Sequence, residues 1–171
     1  MSHPWQLSFV SGIRDAHPKY FYDSKVLEVG SLDINGTIRV FFDHCEYTGV
    51  DLGEGPGVDL VAKGEELDFP DNTFDTTASC ECFEHNENWD LTFLNMVRMT
   101  KPGGLIFFTC ATTGRPEHGT KRTTPGDAPF CGDYYKNLVA EDFKDLLDDI
   151  ENYEFSTYRQ DLRFYGFKKN G

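Results

Sequence analysis

Two acidic residues and a glycine stand where the sequence could form a site for a nucleoside. Glu28 and Gly30 lie at the end of one apolar run, and Asp51 ends the next. A glycine at the end of a strand lets a ligand approach the backbone closely. A carboxylate at the end of the following strand is placed to accept hydrogen bonds from both hydroxyls of a ribose. The spacing favours a nucleoside cofactor over an ordinary turn with a solvated aspartate.

The loop after the first apolar run lacks the residues that would hold phosphates. A dinucleotide-binding loop would need glycine at positions 30, 32 and 35, and this chain has Leu32 and Asn35. A phosphate-binding loop needs Gly-Lys followed by Ser or Thr, and residues 119–121 carry Gly-Thr-Lys instead. The sequence therefore favours a cofactor without phosphates.

A second set of polar residues follows the fourth and fifth predicted strands, where an acceptor could react. Residues 111–137 are polar and show no periodicity, and a structureless stretch of that length is usually functional or disordered. The candidates for a general base are His85, His118 and Glu117. The candidates for acceptor contacts are Arg115, Glu117, His118, Tyr134 and Tyr135. A structural hydrogen bond from His85 and a plain surface excursion of the loop remain the alternatives.

The cysteines predict neither a disulfide framework nor a metal site. Five cysteines without regular spacing are typical of reduced thiols in a cytoplasmic protein. Cys80, Cys82 and His85 have a spacing that suggests zinc, but no second pair of thiols stands nearby. We therefore expect no metal.

The elements that must position these residues alternate between strand and helix. Strands are predicted at residues 25–29, 47–50, 58–62, 74–79, 105–110, 153–158 and 163–167, and helices at 38–43, 89–100 and 141–150. Leu91, Leu94 and Val97 form the predicted apolar stripe of the middle helix. The order predicts one α/β domain over residues 1–171, with a mostly parallel seven-stranded sheet and a C-terminal antiparallel hairpin. Within it, residues 1–23 would form an N-terminal helix or lid and residues 111–137 a substrate loop.

Composition limits the function classes. The chain has 171 residues and a net charge of −13, from 16 Lys and Arg against 29 Asp and Glu. Such a surface repels phosphate backbones, so no nucleic-acid partner is expected. No apolar run approaches the roughly 20 residues of a membrane helix, and no secretory signal is recognisable.

Four segments, taken in order, resemble one protein family. These are residues 26–30 (VLEVG), 47–51 (YTGVD), 65–75 (EELDFPDNTFD) and 101–105 (KPGGL). Their order and spacing resemble the class I S-adenosylmethionine-dependent methyltransferases, and the nearest group is the methyltransferase type 11 domain. The resemblance implies a Rossmann-like methyltransferase fold with helices on both faces of the sheet. It also implies S-adenosyl-L-methionine as cofactor, S-adenosyl-L-homocysteine as product, and no metal.

The resemblance also implies roles for individual residues. Glu28 and the Gly30 backbone would hold the methionine moiety, and Asp51 would accept the ribose hydroxyls. Backbone near Glu65 would border the adenine, and Cys80 or Glu81 would meet the methionine end. The full predicted cofactor set is Glu28, Gly30, Ser31, Gly36, Asp51, Leu52, Glu65, Glu66, Leu67, Cys80 and Glu81.

Two positions depart from the family pattern. The usual Glu-x-Gly-x-Gly-x-Gly loop has Leu32 and Ile34 in place of glycines, and Lys63 stands where an acid often pairs with the adenine amine. The expected function is metal-independent methyl transfer by direct displacement to a small molecule or a glycan-type acceptor. The alternatives are a non-catalytic S-adenosylmethionine-binding regulatory or partner protein, and a nucleotide-sugar or NAD enzyme on a related sheet.

Overall fold

A computed structural model describes residues 4–171, which form one seven-stranded sheet. The strands are β1 (Lys25–Val29), β2 (Glu46–Asp51), β3 (Leu60–Val61), β4 (Phe74–Cys80), β5 (Thr100–Ala111), β6 (Ile150–Tyr158) and β7 (Asp161–Lys168). Their spatial order is β3-β2-β1-β4-β5-β7-β6. The first five strands pair in parallel, and β7 and β6 add antiparallel pairs at the far side. The predicted fold class is confirmed.

The strand order sets the place of a ligand site. From β1 the chain runs outward through β2 to β3, then returns across the sheet to β4 on the other side of β1. This reversal leaves a crevice beyond the carboxyl ends of β1 and β4, where open parallel sheets bind their ligands. The carboxyl ends of β2 and β5 meet the same edge, because these strands run parallel to β1 and β4.

One α-helix packs on each face of the sheet. Helix α1 (Pro4–Ala16) buries Val10 and Ile13 against one face, together with Leu105 and Phe107 of β5. Helix α2 (Trp89–Met99) packs on the opposite face, in a core that includes the alternate β5 residues Ile106 and Phe108. The alternation along β5 shows that this strand is buried on both sides, as its continuous apolar run predicts.

The predicted apolar stripe of α2 is wrong in two of its three members. Leu91 and Leu94 are 52% and 42% exposed, whereas Val97 is buried. The buried face instead contains Phe93 and Met96. Three-residue spacing alone drifts around a helix of 3.6 residues per turn, so it selects a stripe that leaves the core.

The segment predicted as a helix at residues 141–150 divides into two elements. Residues Ala140–Leu146 form a 3₁₀ helix, and Ile150 already begins β6. The side chain of Phe143 anchors this short helix by stacking on Phe108, with 4.6 Å between ring centroids. Further 3₁₀ turns are Pro18–Tyr20, Ile38–Phe41, Gly64–Glu66, Phe83–His85 and Pro125–Asp127. Thr37 caps the second of them by accepting a hydrogen bond from the Arg39 N–H, as its type predicts.

Strand bounds also shift locally. The predicted third strand shortens to two residues, and β5 begins at Thr100, five residues before the predicted start. The extra residues pair with β4 through an irregularity in register between Phe74 and Thr76. None of the helices within residues 4–171 has the length and apolar character to cross a membrane.

Candidate functional site

A cavity of about 340 Å³ opens at the carboxyl edge of β1, β2 and β4. This volume lies in the range of small-molecule sites. Its lining comes from the ends of these strands and from the long segment after β5. The lining residues are Val29, Gly30, Leu32, Ile34, Val50, Asp51, Leu52, Ala62, Lys63, Gly64, Glu65, Glu81, Cys82, His85, Asn86, Glu87, Asn88, Asp127, Ala128, Pro129, Phe130, Cys131, Gly132, Asp133 and Tyr134.

Gly30 forms the floor of the cavity where β1 ends. Its φ of +85° is in the left-handed region, and a Cβ there would stand 2.6 Å from the Cβ of Cys82. Its N–H donates to the Val50 carbonyl over 2.8 Å, and the N–H of Ser31 donates to the same oxygen over 3.0 Å. Only glycine fits this turn, because both the backbone angle and the neighbouring chain exclude a side chain.

The residues that replace family glycines turn apolar groups toward the cavity. Leu32 and Ile34 both line it. Ser31 and Gly36 do not, although both were expected at the cofactor. The N–H of Gly36 donates to the carboxylate of Asp33 over 2.8 Å, so this glycine closes the loop.

The Asp51 carboxylate is held at the cavity wall by backbone donors. Its Oδ1 accepts a hydrogen bond from the Leu52 N–H over 2.7 Å, and its Oδ2 accepts one from the Leu32 N–H over 3.0 Å. Each carboxylate oxygen can accept a second bond. The side chain is therefore oriented and still able to accept two ligand hydroxyls.

Residues that follow β3 form another wall of the cavity. Lys63 and Glu65 line the cavity there, whereas Glu66 and Leu67, also expected at the cofactor, do not. The Glu65 carboxylate accepts hydrogen bonds from Asn88 over 3.0 Å and from Thr92 over 3.1 Å. Partial burial raises the pKa of Glu65, but these bonds and its own backbone N–H outweigh it and lower the pKa overall. Glu65 is a fixed anion beside the cavity.

Glu28 lies inside the sheet, outside the cavity lining. Its side chain is 3% exposed, and its Oε2 accepts a hydrogen bond from the Tyr47 hydroxyl over 2.6 Å. Burial raises the pKa of Glu28 to about 7, against the opposing effects of the Tyr47 bond and Arg39. Cys80 is also buried and does not line the cavity.

Glu81 directly follows β4 in a strained conformation, and its carboxylate lies among buried charged side chains. Its φ is +53°, which is uncommon for a residue with a side chain. The Arg115 guanidinium lies 3.5 Å from the Glu81 carboxylate and 2.6 Å from that of Asp161. Burial, together with Glu84 and Asp161, raises the pKa of Glu81 to about 8. Glu81 lines the cavity, so a group that can hold a proton near neutral pH faces it.

His85 also lines the cavity and is 6% exposed. Its ring centroid lies 5.0 Å from that of His118 and 5.5 Å from that of Tyr135. Burial lowers the pKa of His85 to about 4, and the neighbouring His118 adds to this shift. The imidazole is therefore neutral at physiological pH.

The loop after β5 is held by its own contacts at the residues expected to meet the acceptor. Arg115, Glu117, His118 and Tyr135 lie outside the cavity lining, and Tyr134 lies within it. Glu117 accepts hydrogen bonds from the Thr120 hydroxyl over 2.6 Å and from Arg122 over 3.0 Å. The Thr120 bond lowers the pKa of Glu117, with Arg122 adding to it against the effect of desolvation.

The later part of the same segment supplies a wall of which sequence reasoning named only Tyr134. Residues 127–134 line the cavity opposite the strand ends, and the Phe130 ring packs directly on Gly53, which has no side chain. Cys82 and residues 86–88 were missed as well. Phe130 and Tyr134 were the available signal, because aromatic rings in a polar loop often face an apolar ligand.

Comparison with known proteins bears on the family. Residues 27–108 match the family model described as a methyltransferase domain. A search of curated proteins found no match. The match and the fold confirm the predicted resemblance to the class I S-adenosylmethionine-dependent methyltransferases.

Solved structures of low sequence identity share the fold. A 1,6-didemethyltoxoflavin-N1-methyltransferase from Burkholderia thailandensis, with bound 1,6-didemethyltoxoflavin and S-adenosylhomocysteine, has a TM-score of 0.67 at 16% identity; the match covers 96% of this chain and 78% of that one. Phosphoethanolamine N-methyltransferase 2 from Haemonchus contortus, in complex with S-adenosyl-L-methionine, has a TM-score of 0.69 at 16% identity over 95% and 53% of the two chains. The [4+2]-cyclase SpnF has a TM-score of 0.70 at 13% identity over 97% and 82%.

Proposed function

We propose that this chain, which carries a methyltransferase domain and the class I S-adenosylmethionine-dependent methyltransferase fold, binds S-adenosylmethionine and transfers its methyl group to a small-molecule or glycan-type acceptor. The observation that carries the proposal is the cavity at the carboxyl edge of the sheet, with Asp51 fixed in its wall. Both features lie within or beside the residues that match the family model.

The cavity offers a separate environment for each part of this cofactor. The free lone pairs of Asp51 suit the two ribose hydroxyls, since a charged acceptor strengthens such bonds. Ala62, Gly64 and Glu65 form the wall proposed for the adenine, and Leu32 and Ile34 add apolar surface. The methionine end would lie near Gly30, Glu81 and Cys82. Glu28 would then act from inside the sheet through its field, without a direct contact.

The reaction is a displacement at the sulfonium methyl. The acceptor's lone pair forms a bond to the methyl carbon, and the methyl–sulfur bond breaks with its electron pair on sulfur, which becomes a neutral thioether. A hydroxyl or ammonium acceptor also loses a proton. Glu81 and His85 both line the cavity. Glu81, whose pKa is raised to about 8, is the stronger base once it has lost its own proton, whereas His85, whose pKa is lowered to about 4, is neutral and able to accept a proton near pH 7.

The charge of the chain and the ligands of its structural neighbours support this acceptor class. The net charge of −13 disfavours a nucleic acid. The Burkholderia enzyme binds a small heterocycle, and the Haemonchus enzyme is named for phosphoethanolamine. A small molecule or a sugar fits a cavity of this size better than a folded macromolecule does.

Calorimetry with the purified protein tests the cofactor. We expect S-adenosylmethionine and S-adenosylhomocysteine to bind with micromolar affinity, and NAD not to bind. Asp51→Ala removes the acceptor of two charged hydrogen bonds, each worth about 1.5–3 kcal/mol, so affinity should fall at least about tenfold. Asp68→Ala, at an exposed position outside the cavity lining, is the matched control and should bind normally. Heat with NAD alone would refute the proposal.

A second candidate function is cofactor binding without methyl transfer. Two observations support this second function. The N–H groups of Gly30 and Ser31 are already bonded to the Val50 carbonyl, and a protein of this fold is named a [4+2]-cyclase. Mass spectrometry of reactions with mixed acceptor pools separates the two functions. Release of S-adenosylhomocysteine with a methylated product supports the transferase, whereas binding without release supports the second candidate.

A further inference from the structure

Three potential metal ligands from two separate loops meet beside the cofactor cavity. Glu84 and His85 belong to the 3₁₀ turn after β4, and His118 belongs to the loop after β5. One ligand atom from each lies within 4.8 Å of the others. The sequence suggested zinc only through Cys80, Cys82 and His85, and the grouping of His85 with Glu84 and His118 appears only when the loops are packed together.

The carboxylate in this group is buried and is not hydrogen-bonded within residues 4–171. Glu84 is 0% exposed, and neither of its oxygens has a hydrogen-bond partner among the described residues. Burial raises the pKa of Glu84, against the opposing effects of the backbone N–H groups of Glu84 itself and Ala111, which make no hydrogen bond of normal geometry to it. Arg115 forms its ion pairs with Glu81 and Asp161 instead. A buried carboxylate in this state is costly, and a bound cation would remove the cost.

Each of the two histidines has a ring nitrogen that can bind a metal ion. The Nδ1 of His118 lies 3.1 Å from the Pro116 carbonyl, so its N–H donates there and Nε2 keeps its lone pair. Metal-binding histidines are typically oriented by such a bond to a backbone carbonyl. The Tyr135 hydroxyl donates to the same carbonyl over 3.2 Å, which fixes its position. His85 Nδ1 is buried and has no hydrogen-bond partner in residues 4–171.

Close packing of the two loops depends on one glycine. Gly119 has a φ of +69°, and a Cβ there would stand 2.7 Å from Cε1 of His85. Only glycine lets the loop after β5 approach the His85 ring this closely. The approach brings His118, the neighbour of Gly119, to within ring contact of His85.

We propose that Glu84, His85 and His118 form a binding site for a divalent first-row transition metal such as Zn²⁺, Co²⁺ or Fe²⁺. Two imidazoles and one carboxylate suit these ions, whereas Mg²⁺ and Ca²⁺ prefer oxygen ligands alone. Tetrahedral bonds of about 2.1 Å hold ligand atoms roughly 3.4 Å apart. Atoms that now lie up to 4.8 Å apart must therefore draw closer, which the partly exposed His118 allows. This proposal departs from the sequence-based expectation of a metal-free enzyme.

Three protein ligands leave coordination positions for water or substrate. Because His85 also lines the cavity, an oxygen atom of the acceptor is the natural ligand for such a position, and this consequence rests on the proposed function. Metal binding itself does not depend on cofactor or acceptor, so it can be tested without either.

The test is a titration of chelator-treated, full-length protein with Zn²⁺ and with Co²⁺. We expect one equivalent to bind, with a Co²⁺ absorption spectrum of nitrogen and oxygen ligands and no thiolate band. His118→Ala and Glu84→Gln should weaken binding at least about tenfold. His44→Ala is the matched control, because His44 is exposed and far along the chain from the site. Cys82→Ser should leave the titration unchanged.

The outcomes separate this site from the proposed function. His118→Ala should keep its affinity for S-adenosylhomocysteine, since His118 does not line the cavity. A thiolate spectrum that Cys82→Ser removes, or equal metal affinity in His118→Ala and the wild type, would overturn the metal site. Loss of cofactor binding in the wild type, with metal binding intact, would instead overturn the proposed function.

Discussion

Burial of the Glu28 carboxyl group lowers the stability of the folded protein at neutral pH. Its pKa of about 7 lies above the value of 4.5 of an exposed glutamate, because the side chain is buried. Between these two values the unfolded chain gives up the proton while the folded chain keeps it. The contribution of Glu28 to the free energy of unfolding is therefore greatest below about pH 4.5. It falls as the pH rises toward 7 and is lost above about pH 7.

We predict that Glu28→Gln stabilises the protein more at pH 8 than at pH 5. A rise of the pKa from 4.5 to about 7 corresponds to a loss of about 3 kcal/mol in the free energy of unfolding at high pH. Glutamine carries no charge and can still accept the hydrogen bond from Tyr47. Urea unfolding at the two pH values measures the difference. Tyr47→Phe is the companion variant and should cost stability at pH 8, since it removes the donor that favours the charged form. A benefit of Glu28→Gln that does not change with pH would contradict this interpretation.

At the scale of elements, α2 is held by its aromatic contacts. Phe93 is 0% exposed, and its ring lies within 5.5 to 5.8 Å of the Phe143, Phe108 and Phe164 centroids. These partners come from the 3₁₀ helix, β5 and β7, so a single side chain ties the helix to three elements. The 42% exposed Leu94, next in sequence, faces away from them.

We predict that Phe93→Ala lowers the free energy of unfolding by about 3–5 kcal/mol, because it leaves a cavity in the core. Leu94→Ala should change it by no more than about 0.5 kcal/mol. Chemical denaturation of both variants compares neighbouring positions of the same helix. Equal losses would mean that α2 packs through the stripe that three-residue spacing suggests, and that the described core is wrong.

At the scale of the whole molecule, Arg115 connects three distant parts of the chain. Its guanidinium lies between Glu81 after β4 and Asp161 at the start of β7, and its carbonyl accepts a bond from Asn137 over 2.9 Å. Both carboxylates are 2% exposed and Arg115 is 23% exposed. The contacts make Arg115 a structural link, which competes with its expected role at the acceptor.

We predict that Arg115→Gln lowers stability by about 3 kcal/mol, because it removes a cation that lies between two buried carboxylates. Arg122→Gln is the matched control: its pair with Glu117 is exposed and screened by water, so the loss should be much smaller. Thermal and chemical unfolding measure both. A fully stable Arg115→Gln variant would free this residue for the acceptor.

The sequence by itself determined the sheet and the position of the ligand edge. Continuous apolar runs mark buried strands locally, and parallel strands always bring their carboxyl ends to one edge. Gly30, Asp51 and Glu65 were therefore found as cavity residues without coordinates. The same reasoning placed Glu81 and His85 there, since both follow β4.

Only the tertiary structure decided how the loop after β5 folds back. Residues 111–137 have no periodicity, and their course is set by long-range bonds such as Lys136 N–H to the Glu84 carbonyl and Leu138 N–H to the Ala111 carbonyl, each 2.9 Å. In the loop that these bonds hold, residues 127–134 line the cavity and His118 lies beside Glu84. Such contacts join residues far apart in sequence, so no local pattern of residue types encodes them.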